Sequence, residues 1–323
     1  MTMTFEELEK IVSKSKSPAD LFGDKLDEKL HEFRIACHPD RFAGDPAKQA
    51  RAEELFKAIE LFAVTARSPS LEIKSRKNTY KVGNLLAKGD LADLYYADNV
   101  ILKIGRVSLA EAFLKQEVEV LKKLFKVGED STYIKYLPRL IESFNVFNKF
   151  DRLINVFEYD SEYAPLSNFT ENIKKEPRHL VWLFKRILTI LSFTEANNIV
   201  HGAVLPSHIL VNPKNHGIQL IGWGQSVEKG SPIKIISKDW KANYPSEVLD
   251  KKPADFSTDI YMVGYLIKQL MTSKTPSSFV RFVDSLLLSP GMRPNSALGL
   301  YDDLSHFARD LYGSPKFVTL QAD

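Results

Sequence analysis

Val100-Ile101-Leu102-Lys103-Ile104 reads as a strand and residues 108–125 read as a helix, and this change of period decides the fold of the larger part of the chain. Residues 82–86 and Leu94-Tyr95-Tyr96 are short apolar runs set off by polar turns, so three hairpin strands are expected before the helix. Further apolar runs at residues 136–140 and 153–159 predict two more strands. From Leu180 the pattern becomes largely helical, with Trp182, Ile187, Leu191 and Phe193 on one long helix that leads into Ile199-Val200-His201. A small sheet with one helix, followed by a helical lobe, is an α+β fold of two lobes.

Composition sets the outer bounds. The chain has 323 residues, 44% of them hydrophobic, and a formal net charge of +3, which is material for two cores and gives no sign of disorder. Nearly balanced charge gives no reason to invoke nucleic acid, and no apolar run approaches a membrane span. The acidic first ten residues do not read as a leader peptide. Cys37 is the single cysteine and falls on the apolar side of a helix, so disulfides within the chain are excluded and a reducing, cytoplasmic setting is expected. His201 and His208 have no third ligand at a useful spacing, so no metal is expected. Phe144, Phe147 and Phe150 read as core aromatics rather than as a platform for bases.

The landmarks in residues 80–312 fall in an order that resembles the protein-kinase fold. Gly89 in Leu86-Ala87-Lys88-Gly89-Asp90 takes the place of the glycine-rich loop. Lys103 closes the strand whose lysine contacts nucleotide phosphates, and Glu117 matches its helix partner. Glu247 in Tyr244-Pro245-Ser246-Glu247, Asp259 in Ser257-Thr258-Asp259-Ile260, and Arg293 in Met292-Arg293-Pro294 match the architectural residues of the large lobe, with Glu247 expected to pair with Arg293. One helix, near residues 278–288, fits between Met271 and Arg293, so the lobe is expected to be shortened there.

At the positions that carry chemistry in that family, this chain differs. Ala203 stands in place of the Asp that orients the substrate hydroxyl, and Leu205 in place of the loop lysine. His208 stands in place of the metal-holding Asn and Gly222 in place of the metal-holding Asp. None of the four supplies a carboxylate oxygen for Mg²⁺. The resemblance therefore implies a pseudokinase: no enzyme, no catalytic or metal residues, no metal cofactor, and ATP binding through Gly89, Lys103 and Glu117 left open.

Before this domain, His38-Pro39-Asp40 stands between two amphipathic helices. Leu26, Leu30, Phe33 and Cys37 stripe the first helix, and Ala50, Leu55, Ile59 and Phe62 the second, which starts at Pro46 behind an Asp45 cap. With Arg41-Phe42-Ala43 after the tripeptide, residues 1–67 resemble a J domain. That resemblance implies that His38, Pro39 and Asp40, steered by Lys25, Lys29, Arg34 and Arg41, engage a DnaK-type chaperone ATPase, although Asp27, Glu28 and Glu32 interrupt the positive run.

The expected organisation is multidomain: a small all-α J-domain hairpin (1–67), a linker (68–79) opening on the polar, proline-broken Arg67-Ser68-Pro69-Ser70, a two-lobed kinase-like domain (80–312) and a C-terminal tail (313–323). The expected function is a co-chaperone that stimulates a DnaK-type ATPase and uses the kinase-like domain for targeting, client binding or regulation. Two alternatives stand beside it, an unorthodox nucleotide-dependent transferase and a non-catalytic scaffold.

Overall fold

The computed structural model describes residues 3–15, 18–67, 71–146 and 152–323. The chain divides into two compact units, Met1–Lys88 with Asp93–Leu102, and Gly89–Ala92 with Lys103–Asp323.

The first unit opens with four helices, α1 (Phe5–Lys14), α2 (Pro18–Phe22), α3 (Leu26–Cys37) and α4 (Pro46–Arg67). Thr4 and Glu7 form a reciprocal capping box that fixes the start of α1. Leu8, Phe22, Leu30, Phe33, Cys37 and Ile59 close into one apolar core, and burial pushes the Cys37 thiol up to about 11, which keeps it protonated and unreactive. Pro39–Phe42 forms a short 3-10 turn after α3, in which His38 Nδ1 accepts from the Asp40 amide. Asp40 itself is exposed.

The cations assigned to partner binding are largely engaged within this unit. Lys25 pairs with Glu28 at 3.0 Å, Arg34 forms a two-pronged pair with Glu60 at 2.5 and 2.6 Å, and Arg41 donates to the Ile35 carbonyl at 2.6 Å.

Two antiparallel hairpins follow. β1 (Leu71–Lys74) pairs with β2 (Thr79–Val82), and β3 (Leu85–Lys88) pairs with β4 (Ala92–Ala97). β1 thus lies in the stretch expected to be a linker, whose opening residues 68–70 are outside the described residues. The single strand expected over 82–86 is broken at Gly83, whose amide donates to the Tyr96 carbonyl at 2.7 Å and where a Cβ would come within 2.9 Å of that oxygen. Only glycine allows this approach.

The sheet order is β3-β4-β5-β7-β6, where β5 is Val100–Gly105, β6 is Leu140–Val146 and β7 is Arg152–Glu158. The helix α5 (Leu109–Val127) carries Leu114, Val118, Leu121 and Leu124 on its buried side. Residues 136–140 do not form the expected strand. Tyr136 ends a 3-10 turn opened by the Ser131 side chain, and the strand begins at Leu140. Phe147 and Phe150 lie outside the described residues.

The helical lobe contains β8 (Ala164–Pro165), α6 (Thr170–Lys175), α7 (Arg178–Ala196), β9 (Ile199–Val200), β10 (Ile209–Asn212), β11 (Gly217–Leu220) and β12 (Val227–Glu228), then α8 (Ser246–Leu249), α9 (Phe256–Gln269), α10 (Ser277–Ser285) and α11 (Ala297–Tyr312). Helix α7 has no exposed apolar stripe, because Leu183, Phe184, Ile187, Leu188 and Ile190 are all fully enclosed. The tail returns along the lobe: Leu320 is buried, and both Asp323 carboxylate oxygens accept backbone amides of Glu171 and Asn172 at 2.8 Å. This is a mixed α+β architecture with a sheet lobe and a helical lobe. Among the described residues no helix is long and apolar enough to cross a membrane.

Candidate functional site

Strand β5 carries Lys103 and helix α5 carries Glu117, and their side chains meet, Nζ to Oε1, at 2.7 Å. Glu117 is only 2% exposed, so its charge requires a full set of partners. Its other oxygen accepts from Asn155 Nδ2 at 3.1 Å, while the same amide nitrogen donates to the Leu114 carbonyl at 3.0 Å. Ser143 Oγ donates to Asn155 Oδ1 at 2.7 Å and completes the chain. The Lys103 ammonium also stands 4.8 Å from the centre of the Phe113 ring. Asn155 was missed in reading the sequence. The signal available was a lone amide inside the apolar run Leu153-Ile154-Asn155-Val156-Phe157, a placement that demands a buried partner.

Gly89 begins the loop before β4. Its amide donates to the Ala92 carbonyl, and a Cβ would stand 2.6 Å from that oxygen. Arg106 ties the loop tip by donating to the carbonyls of Gly89 and Asp90, the latter at 2.8 Å. The Asp90 carboxylate is within electrostatic reach of His208, as are Lys103 and Glu117, so these four residues share one region of the second unit.

The catalytic-loop region is held by Asp259, near the start of α9. Its carboxylate accepts the His201 amide at 2.7 Å and the Gly202 amide at 2.8 Å, and Gly202 takes φ +72° to present its amide. Burial pushes the Asp259 carboxyl up to about 7, while those two amides act to keep it ionised. His201 is fully enclosed and lies edge-on to Trp223 at 4.5 Å. Its Nδ1 accepts from the Ala203 amide at 3.2 Å and its Nε2 faces the Ile221 carbonyl at 3.2 Å, an arrangement that fixes the neutral Nε2–H tautomer. Loss of water pushes its pKa down to about 3.

Ala203 and Leu205 are both fully buried in the lobe core. His208 donates from Nδ1 to the Ala203 carbonyl at 2.9 Å, and desolvation, with Lys103 nearby, pushes its pKa down to about 4. The ring is therefore neutral at pH 7. Gly222 sits in the left-handed region at φ +88°, and a Cβ there would come 2.5 Å from His208 Nδ1. The His208 ring fills the space that a side chain at 222 would need, so the two positions form one packed unit. A neutral imidazole beside a glycine does not fit Mg²⁺, the ion that the fold implies here, because a hard cation is held by oxygen donors. Among the described residues no group of three or more His, Cys, Asp or Glu is placed to hold a metal ion.

The architectural residues are brought together. Glu247 Oε1 forms a buried pair with Arg293 Nη2, Thr258 Oγ1 donates to the same oxygen at 3.3 Å, and Arg293 Nε donates to Ser257 Oγ at 3.2 Å. The guanidinium lies over the Tyr261 ring at 5.1 Å.

No protein-family model matches this chain. Curated relatives are protein kinases. The serine/threonine-protein kinase SBK1 of Danio rerio is 26% identical over 235 residues, covering 70% of this chain and 58% of the relative. The SNF1-related protein kinase catalytic subunit alpha KIN12 of Arabidopsis thaliana is 23% identical over 238 residues, 72% of this chain and 46% of the relative. Serine/threonine-protein kinase D of Synechocystis is 24% identical over 224 residues, 62% and 42% respectively. The chain thus spans about half the length of the curated relatives it matches.

These relatives correct two expectations. The reading of the kinase-like domain as a non-enzyme gave full weight to residues 203, 208 and 222, whereas the relatives over most of the chain are named as protein kinases and the Lys103–Glu117 pair is assembled. The terms J domain, DnaJ and co-chaperone find no support in those relatives. The chain carries a kinase-like domain, similar to serine/threonine protein kinases over most of its length.

Proposed function

We propose that this chain is an atypical, nucleotide-dependent phosphotransferase of the serine/threonine-kinase type. The observation that carries the reading is the Lys103–Glu117–Asn155 network, which holds the Lys103 ammonium against a buried, hydrogen-bonded carboxylate. A lysine so held contributes a point charge to nucleotide phosphates at little ordering cost. Gly89 allows the loop backbone a close approach to the same phosphates.

Transfer is slow in this proposal. Ala203 removes the group that orients the accepting hydroxyl, and each such loss typically lowers the rate about a hundredfold or more. Asp90, which acts electrostatically on His208, is the carboxylate we assign to the reacting hydroxyl. The hydroxyl of a Ser or Thr side chain takes the terminal phosphoryl group and the nucleoside diphosphate leaves.

The test is transfer of labelled terminal phosphate from ATP to a mixed Ser/Thr protein substrate over hours, with Mg²⁺ or Mn²⁺ supplied. Label incorporated by the wild type, lost with Lys103→Met and reduced about tenfold or more with Asp90→Asn at unchanged ATP affinity, supports the reading. Equal incorporation by wild type and Lys103→Met overturns it.

A further inference from the structure

Helices α7 and α11 and the tail residues that follow enclose a pocket of about 350 Å³, away from the residues of the nucleotide site. Five cations, Arg178, Lys185, Arg186, Arg309 and Lys316, line it, and no carboxylate does. Three of them have work within the fold. Arg178 pairs with Glu176 at 2.8 Å, Arg186 donates to the His216 carbonyl and Tyr136 Oη at 3.0 and 3.1 Å, and Lys185 lies over the Tyr301 ring at 4.6 Å. Arg309 and Lys316 are exposed and have no ion pair among the described residues.

A second observation is independent of charge. His216 and Tyr312 both line the pocket, and each has a buried polar atom, Nε2 and Oη respectively, without a hydrogen-bond partner. His216 is only 7% exposed. Buried polar atoms are normally satisfied, so such atoms lining a single concave, cationic site offer polar contacts to a bound group. The volume is that of a small-molecule site.

We infer that this pocket binds a small, soluble, multiply phosphorylated anion, whose oxygens are held by Arg309, Lys316 and Tyr312 Oη. Several phosphate oxygens suit paired guanidinium and ammonium donors, and a hydroxyl donor completes the set. The ligand is distinct from the nucleotide of the proposed reaction, and the inference does not depend on that reaction.

Isothermal titration of the full chain with inorganic tripolyphosphate, against sulfate at matched ionic strength, tests it. Binding is expected to be saturable, one to one, and absent with sulfate. It is expected to persist in Lys103→Met and to weaken about tenfold or more per cation in Arg309→Glu with Lys316→Glu, both exposed sites that leave the fold intact. Tyr312→Phe removes an unsatisfied hydroxyl, so it is expected to weaken binding severalfold without lowering Tm. No binding, equal binding of sulfate, loss of binding with Lys103→Met, or full affinity in either the charge-reversed or the Phe variant overturns the inference.

Discussion

In the helical lobe Glu247 and Arg293 are buried against each other, with Thr258, Ser257 and Tyr261 around them, whereas residues 203, 208 and 222 of the same lobe are an alanine, a neutral histidine and a glycine. The first region keeps charge in the interior and pairs it through Glu247 Oε1, while Glu247 Oε2 has no hydrogen-bond partner. None of these three residues carries a carboxylate, and the His208 ring occupies the volume above Gly222. The contrast separates two demands on one fold. A buried pair that braces helices cannot be thinned without loss of stability, while donors aimed at a reacting phosphate can be replaced by residues that pack at a cost in rate rather than in folding.

The largest expected effect breaks the first region. Arg293→Met leaves Glu247 buried and unpaired and should cost about 3–5 kcal/mol in urea unfolding. Adding Glu247→Gln should return much of that loss, because a neutral amide beside Met removes the stranded charge. A double variant as unstable as the single one would show that the pair acts through geometry rather than charge.

Gly222→Asp restores an acid to the second region and should destabilise by about 2–5 kcal/mol, of which about 1–2 comes from the left-handed backbone and about 1–3 from the collision with His208. Combined with His208→Asn, the packing part should vanish, leaving only the backbone part in a thermal melt. If the double variant is no more stable than Gly222→Asp alone, residues 208 and 222 do not form one packed unit.

Asn155→Leu sharpens the comparison at Lys103, since it strips Glu117 and the Leu114 carbonyl of a donor each. A loss of about 1–3 kcal/mol is expected, together with weaker nucleotide affinity.

The smallest effect is at the surface. Arg178 holds the Glu176 carboxyl down to about 2, below its usual value of 4.5. A depressed acid contributes stability that is present above the unfolded value and is lost as pH falls through the folded one. Wild-type stability should therefore drop between about pH 4.5 and about pH 2 by more than that of Arg178→Ala, and by under about 1 kcal/mol because both groups are partly exposed. Identical slopes for the two proteins would remove the pair from the account.

Much of the fold could be read from local pattern. The strand carrying Lys103 and the helix carrying Glu117 follow from period alone, and Cys37 reads correctly as a buried thiol because its neighbours at three- and four-residue steps are apolar. Less legible was β1, whose Leu71–Lys74 run is half charged and earns its strand only by pairing with β2. Tyr136 and Leu137 misled for the opposite reason, being apolar and buried in a turn. At the site, the missing acids were visible as residue types, but the fit of His208 over Gly222 joins positions that no period connects. The Lys103–Glu117 pair was legible from the order of the landmarks, whereas Asn155 behind it was not.

The measurement that bears most directly on the account is calorimetric titration of ATP into the wild-type chain and into Lys103→Met, with and without Mg²⁺. The account predicts saturable binding to the wild type, lost or weakened about tenfold or more when the ammonium is removed. ATP binding of equal strength to both proteins, or to neither, would contradict it.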